Sequence, residues 1–118
     1  MITLYGIENC DTVKRARAWL ESHDIDYQFH DLRKDGLDET QLAAWLQELG
    51  WENLVNQRSK AWQSLDEQVR HNMDDTAALR NITERPTLIK RPLLDTGRER
   101  HVGFSAKHYE KLFNVHTL

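Results

Sequence analysis

The sequence predicts an α/β protein whose elements run strand, helix, strand, then a helical stretch, then strand, strand, helix. Three observations predict it. A β-prone run and a glycine precede a segment of helical period, and an alternating run follows it. The middle of the chain, about residues 51–90, carries helical patterning broken into short pieces. Towards the C-terminus, two prolines and the turn-forming Asp95-Thr96-Gly97 lead into a final segment with its own cap.

Taken in order, residues 2–5 form a short β-prone run, and Gly6 breaks it ahead of Cys10. From Asp11 onward, Val13, Ala16, Trp19 and Leu20 recur at helical spacing, with Lys14, Arg15, Arg17 and Glu21 between them. Residues 25–29 alternate apolar and polar side chains, as a half-buried strand does. Asp31, Lys34 and Asp35 read as an exposed loop, with a turn at Asp35-Gly36. Asp38 or Thr40 suits the cap of a helix carrying Leu42, Trp45, Leu46 and Leu49, which Gly50 ends. Beyond it, Trp62, Leu65 and Val69 share one helical face, and Ala77, Ala78, Leu79 and Ile82 share another. Pro86 and Pro92 bracket residues 87–91. Leu93-Leu94, the Asp95-Thr96-Gly97 turn and residues 100–103 read as a tight hairpin. Ser105 suits the cap of a last helix bearing Tyr109, Leu112 and Phe113.

This is the order of a thioredoxin-like core, β-α-β followed by β-β-α, with a helical insertion between the second and third strands. Residues 1–118 are expected to form one domain, with the insertion at about 38–90. Sixteen Lys and Arg against nineteen Asp and Glu leave a net charge of −3, which argues against binding nucleic acid by bulk charge. No apolar run approaches the roughly 20 residues of a membrane span, and the N-terminus lacks a basic region followed by a long apolar one. The expectation is a cytoplasmic protein with neither membrane nor nucleic acid as partner. A single cysteine rules out an internal disulfide and a four-thiolate zinc site. Six histidines (His23, His30, His71, His101, His108 and His116) show no metal-ligand spacing, so no metal is expected. There is no Gly-rich phosphate loop.

The one thiol, Cys10, follows a strand and precedes an amphipathic helix. A sulfur at a helix start meets free backbone N–H groups and the positive end of the dipole, which favour the thiolate, the nucleophilic form. Lys14 and Arg15 follow within a turn and add positive potential. A buried cysteine acting as a small hydrophobe is the other reading, although Asn9, Asp11 and Thr12 make the neighbourhood polar. Position 13 is Val13, so a two-cysteine redox cycle is impossible within this chain. A monothiol cycle resolved by an external thiol stays open, with glutathione or a glutaredoxin as the natural second thiol. Arg58 and Arg91 carry guanidinium forks suited to an oxyanion or a carboxylate. Convergence on Cys10 would make them a site; otherwise each is a solvated surface residue.

Several stretches together carry a resemblance. They are Leu4 through Thr12, Asn56-Gln57-Arg58-Ser59, Ile89-Lys90-Arg91-Pro92-Leu93-Leu94, and His101-Val102-Gly103-Phe104. In these the chain resembles the ArsC/Spx family over essentially its whole length. Phe29-His30-Asp31 and Leu49-Gly50-Trp51 bring it nearest the YffB branch. The resemblance implies a thioredoxin-like fold with Cys10 as the catalytic nucleophile in an environment that includes Asn9 and Lys14. It further implies that Arg58, Arg91, Pro92, Asp11 and Thr12 bind an oxyanion or glutathione, with Pro92 as a cis-proline. In arsenate reductases of the family, glutathione and glutaredoxin complete the reduction.

Three departures bear on the substrate. A third arginine of the arsenate reductases falls at Gly103, their histidine before the cysteine at Gly6, and their serine three residues after it at Val13. The loss of these groups weighs against arsenate, although Arg98 and Arg100 lie nearby in the hairpin. The function expected is a glutathione-dependent thiol reductase, with glutathione as co-substrate and no permanently bound cofactor. The alternatives are a glutaredoxin-linked arsenate reductase and a non-catalytic protein that binds the RNA polymerase α subunit as Spx does. Arg58-Ser59-Lys60 followed by Trp62 resembles the Spx branch, whereas Val13 removes the Cys-x-x-Cys switch.

Overall fold

A computed structural model describes residues 1–115 of the chain. They fall into two units, one of residues 1–31 with 91–115 and one of residues 32–90. The first unit holds the sheet: β1 (Thr3–Gly6), β2 (Gln28–Asp31), β3 (Leu93–Asp95) and β4 (Arg100–Val102), in the order β2-β1-β3-β4. β1 runs parallel to β2 and antiparallel to β3, which is antiparallel to β4. Helices α1 (Asp11–Ser22) and α7 (Ala106–Phe113) belong to the same unit. The order and directions are those expected of a thioredoxin-like sheet.

Strand alternation decides where the core of this unit lies. Leu4 and Leu94, paired across β1 and β3, meet Ala16, Trp19 and Leu20 of α1 and Tyr109 of α7. Phe104 and Phe113 pack at the rim, with Phe104 and Trp19 each edge-on to the Tyr109 ring. The spacing of Ala16, Trp19 and Leu20 aims one stripe of α1 at the sheet, while the exposed Lys14 and Arg15 face away from it.

The second strand differs from expectation. Its pairing starts at Gln28, not at residue 25. α1 ends through Asp24, at φ +54°, and Ile25 N–H returns to the Leu20 carbonyl at 3.0 Å. The chain reaches β1 only at Gln28, whose N–H donates to the Ile2 carbonyl at 2.8 Å. Ile25 and Tyr27 still pack on the core from outside the strand. Asp31 departs from the exposed loop predicted for it: it ends β2 opposite Gly6 and is 6% exposed. Lys34 and Asp35 are exposed, as predicted.

The second unit is helical. It contains α2 (Glu39–Leu49), α3 (Trp51–Leu54), α4 (Lys60–Gln63), α5 (Glu67–His71) and α6 (Asp75–Glu84), followed by a 3-10 turn at Pro86–Leu88. Of the two caps proposed for α2, Asp38 is the one used, accepting from Gln41 N–H at 3.2 Å. α2 packs on α3 and α6 through a buried set that includes Leu42, Trp45, Leu46, Ala78 and Ile82. The face drawn through Trp62, Leu65 and Val69 does not lie on one helix. Ser64 ends α4, and Asp66 starts α5 by accepting from Gln68 N–H, so the three residues are split by a turn. A bridge between Val55 and Ile89, with Lys90 N–H on the Leu54 carbonyl at 2.8 Å, ties the chain after α3 to the segment after the 3-10 turn.

Candidate functional site

Cys10 is delivered by the loop between β1 and α1, and the geometry of that loop starts at Gly6. A Cβ there would stand 2.7 and 3.0 Å from the two methyl carbons of Val13, which is fully buried. The absence of a side chain is what lets the first turn of α1 close down on the strand end. Ile7 is buried beside it, Glu8 and Asn9 are exposed, and Cys10 is half-buried with a free thiol.

Cys10 is the N-cap residue of α1, with extended backbone at φ −126° and ψ 122°. Its carbonyl accepts Lys14 N–H at 2.9 Å, while its side chain makes no capping hydrogen bond. Asp38, Ser59, Asp66, Asp74 and Ser105 each place a side-chain oxygen on a first-turn N–H of their own helices. At α1 the atom in that place is sulfur. Negative charge on it gains from the backbone donors and from the dipole of a twelve-residue helix. Asp11 is exposed at the first helical position, and Lys14 and Arg15 are exposed one turn on. Arg15 Nη2 donates to Thr12 Oγ1 at 3.4 Å, and Thr12 is half-buried.

The Arg91–Pro92 bond is cis. Leu93 pairs with Tyr5, and this register puts Pro92 at the carboxyl end of β1, the end from which the chain runs on to Cys10. Pro92 is buried, Arg91 is half-buried, and the Pro92 carbonyl accepts Gly103 N–H at 2.8 Å. Gly103 has φ +81°, a backbone conformation that a side-chain-bearing residue adopts only with strain. Gly103 therefore has a backbone reason of its own.

Arg58 belongs to the other unit, on the turn between α3 and α4. Its N–H donates to Asn56 Oδ1 at 3.0 Å, and Ser59 Oγ donates to the Asn56 carbonyl at 2.8 Å while capping α4. The exposed Arg58 lines an open cavity of about 430 Å³ with Glu52, Val55, Asn56, Gln57 and Lys90. Asn9, Cys10, Asp11, Thr12, Lys14, Arg91 and Pro92 thus fall in one unit and Arg58 in the other.

Among the described residues no group of three His, Cys, Asp or Glu side chains is placed to hold a metal. His23 stacks on Trp19, His30 meets the Tyr5 ring at a tilt, and His116 lies outside the described residues. Two features escaped sequence reasoning: the Gly6–Val13 contact and a His101–His108 pair. Neither has a local signal, since each joins a strand to a helix through folding alone.

The model of the ArsC family matches residues 5–112. An uncharacterised protein of Haemophilus influenzae is 49% identical over 113 residues, covering 96% of this chain and 99% of its own length. The global transcriptional regulator Spx of Lactiplantibacillus plantarum is 33% identical over 107 residues, with 89% and 80% covered. Among solved structures, a YffB protein superposes with a TM-score of 0.89 at 37% identity, covering 94% of this chain and 97% of its own. An arsenate reductase-related protein from Brucella melitensis superposes with a TM-score of 0.79 at 43% identity, covering 97% and 95%.

Proposed function

The chain belongs to the ArsC family, in its YffB branch, and from that premise we propose that Cys10 is the single nucleophile of a glutathione-dependent thiol reductase. The observation that carries the proposal is the start of α1: a half-buried, uncapped sulfur on the helix N-terminus, in a chain with no second cysteine. The Cys10 thiolate attacks the glutathione sulfur of a mixed disulfide. One S–S bond breaks as another forms, and the substrate leaves as its thiolate. A second glutathione thiolate then attacks the Cys10–glutathione bond, which restores Cys10 and releases oxidised glutathione. Both leaving groups are thiolates, so neither step needs a proton donor beneath the sulfur, and Val13 and Gly6 supply none. Arg91, with Asp11 and Thr12, orients the glutathione carboxylates and amine, while Asn9 and Lys14 border the thiolate. A glutaredoxin is the protein partner suited to the second step.

Intact-mass measurement after incubation with oxidised glutathione tests this reading. One glutathione adduct is expected on the wild type and none on Cys10→Ser. Equal uptake by the two, or none by either, overturns it.

The likeness to Spx supports a second reading, in which the chain binds the RNA polymerase α subunit. Retention of purified α subunit by the wild type and by Cys10→Ser alike would favour it. Arsenate is the weaker substrate, because Gly103 stands in place of one oxyanion ligand, and Gly6 and Val13 in place of two groups that favour the thiolate. Robust arsenate turnover with glutathione and glutaredoxin would reverse that order.

A further inference from the structure

His101 in β4 and His108 in the first turn of α7 make a contact that the thiol chemistry does not use. His101 Nδ1 and His108 Nε2 are 3.1 Å apart, with ring centroids at 5.0 Å. The side chain of His101 is 18% exposed, and its Nε2 faces Glu99 Oε1 at 3.7 Å. A hydrogen bond between two imidazole nitrogens needs one N–H and one bare lone pair. Neutral rings satisfy that, and so does a pair holding one extra proton. With both rings charged, two N–H donors face each other and the bond is lost.

Which ring donates depends on the tautomer, and Ser105 Oγ accepts His108 N–H at 3.1 Å where α7 begins. Around them, Asp95 and Arg100 offset each other at 3.5 Å across β3 and β4. Arg98 stands in the hairpin turn, and Lys107, Glu110 and Lys111 ride on α7.

This contact closes a corner that reaches the candidate site. Val102, next to His101, pairs with Leu93, and Gly103 N–H holds the Pro92 carbonyl at 2.8 Å. We propose that His101 and His108 form a pH-sensitive clasp on the β4–α7 corner. It is closed while the pair holds at most one extra proton and opens when both rings are charged, loosening Gly103 from Pro92. The open form takes up a proton that the closed form cannot, so falling pH drives opening. The clasp does not depend on which reaction Cys10 performs.

Amide exchange at Gly103 in the full chain tests it, measured from about pH 8 down to about pH 5. After correction for intrinsic rates, the wild type should lose about fivefold or more of its protection on the acid side. His108→Gln, which keeps a polar side chain and takes no charge, should show no such loss. The same acid loss in His108→Gln overturns the proposal. Because that variant could disturb the corner itself, nitrogen–proton spectra of the wild-type rings give a second reading. Two fully protonated rings beside an unchanged Gly103 would also overturn it.

Discussion

Helices α1 and α7 rest on the same aromatic core and both start from extended backbone, at Cys10 and Ser105. At α7 the Ser105 hydroxyl accepts His108 N–H at 3.1 Å, so its first turn is satisfied within the fold. At α1 the Cys10 side chain makes no such bond, and the first-turn donors face outward from a helix otherwise built in the same way. The two starts separate stability from reactivity. A serine closes a helix end, whereas a cysteine in the same place leaves it available to charge on sulfur and to what that sulfur binds.

The most severe way to break the comparison is Cys10→Ser, which makes α1 begin as α7 does. Disulfide-reductase turnover should fall more than about a thousandfold. Thermal or urea unfolding should show a gain of roughly 0.5–1 kcal/mol as the new hydroxyl caps the helix. Retained turnover would mean that the sulfur is not the nucleophile. Next comes Gly6→Ala, whose methyl must displace the stiff, buried Val13 side chain. A loss of about 1–3 kcal/mol is expected in denaturant unfolding, and Val13→Ala in the same chain should recover part of it. Simple additivity of the two changes would show that the contact does not set the α1 start.

Ser105→Ala sharpens the comparison from the other side. It should cost about 1 kcal/mol of unfolding free energy and leave the glutathione adduct at Cys10 unchanged. The smallest effect belongs to Tyr109, whose hydroxyl is buried within α7 with no hydrogen-bond partner. Tyr109→Phe should be neutral or stabilising by up to about 1 kcal/mol. Burial also pushes the Tyr109 phenol up. The folded chain keeps a proton that the unfolded chain gives up near pH 10, so this contribution is complete below about pH 10 and lost as pH rises further. Urea midpoints measured from pH 8 to 11 should fall less steeply in Tyr109→Phe than in the wild type.

The element order was legible because its signals are local. The stripe of Ala16, Trp19 and Leu20, the cap at Ser105 and the Asp95-Thr96-Gly97 turn act within a few residues of themselves. The start of β2 was not legible, since the alternation of Ile25 and Tyr27 reports packing and only the bond to Ile2 reports pairing. Asp31 misled for the same reason: a charged residue next to a turn looks exposed until Gly6 is found opposite it. At the candidate site the position of Cys10 ahead of a helix could be read directly. The left-handed backbone of Gly103 and the seat of Val13 on Gly6 could not, because each answers to a partner distant in sequence.

The nesting of residues 32–90 between the two segments of the sheet unit has a consequence for synthesis. On the ribosome β1 and β2 emerge early, but β1 is an inner strand and its second neighbour, β3, begins only at Leu93. The helical segment is continuous and complete before that strand exists, so its contacts are local and fast to form, while the sheet waits on a closure more than 60 residues long. The loop carrying Cys10 is made before the helical segment, and its surroundings are finished after it.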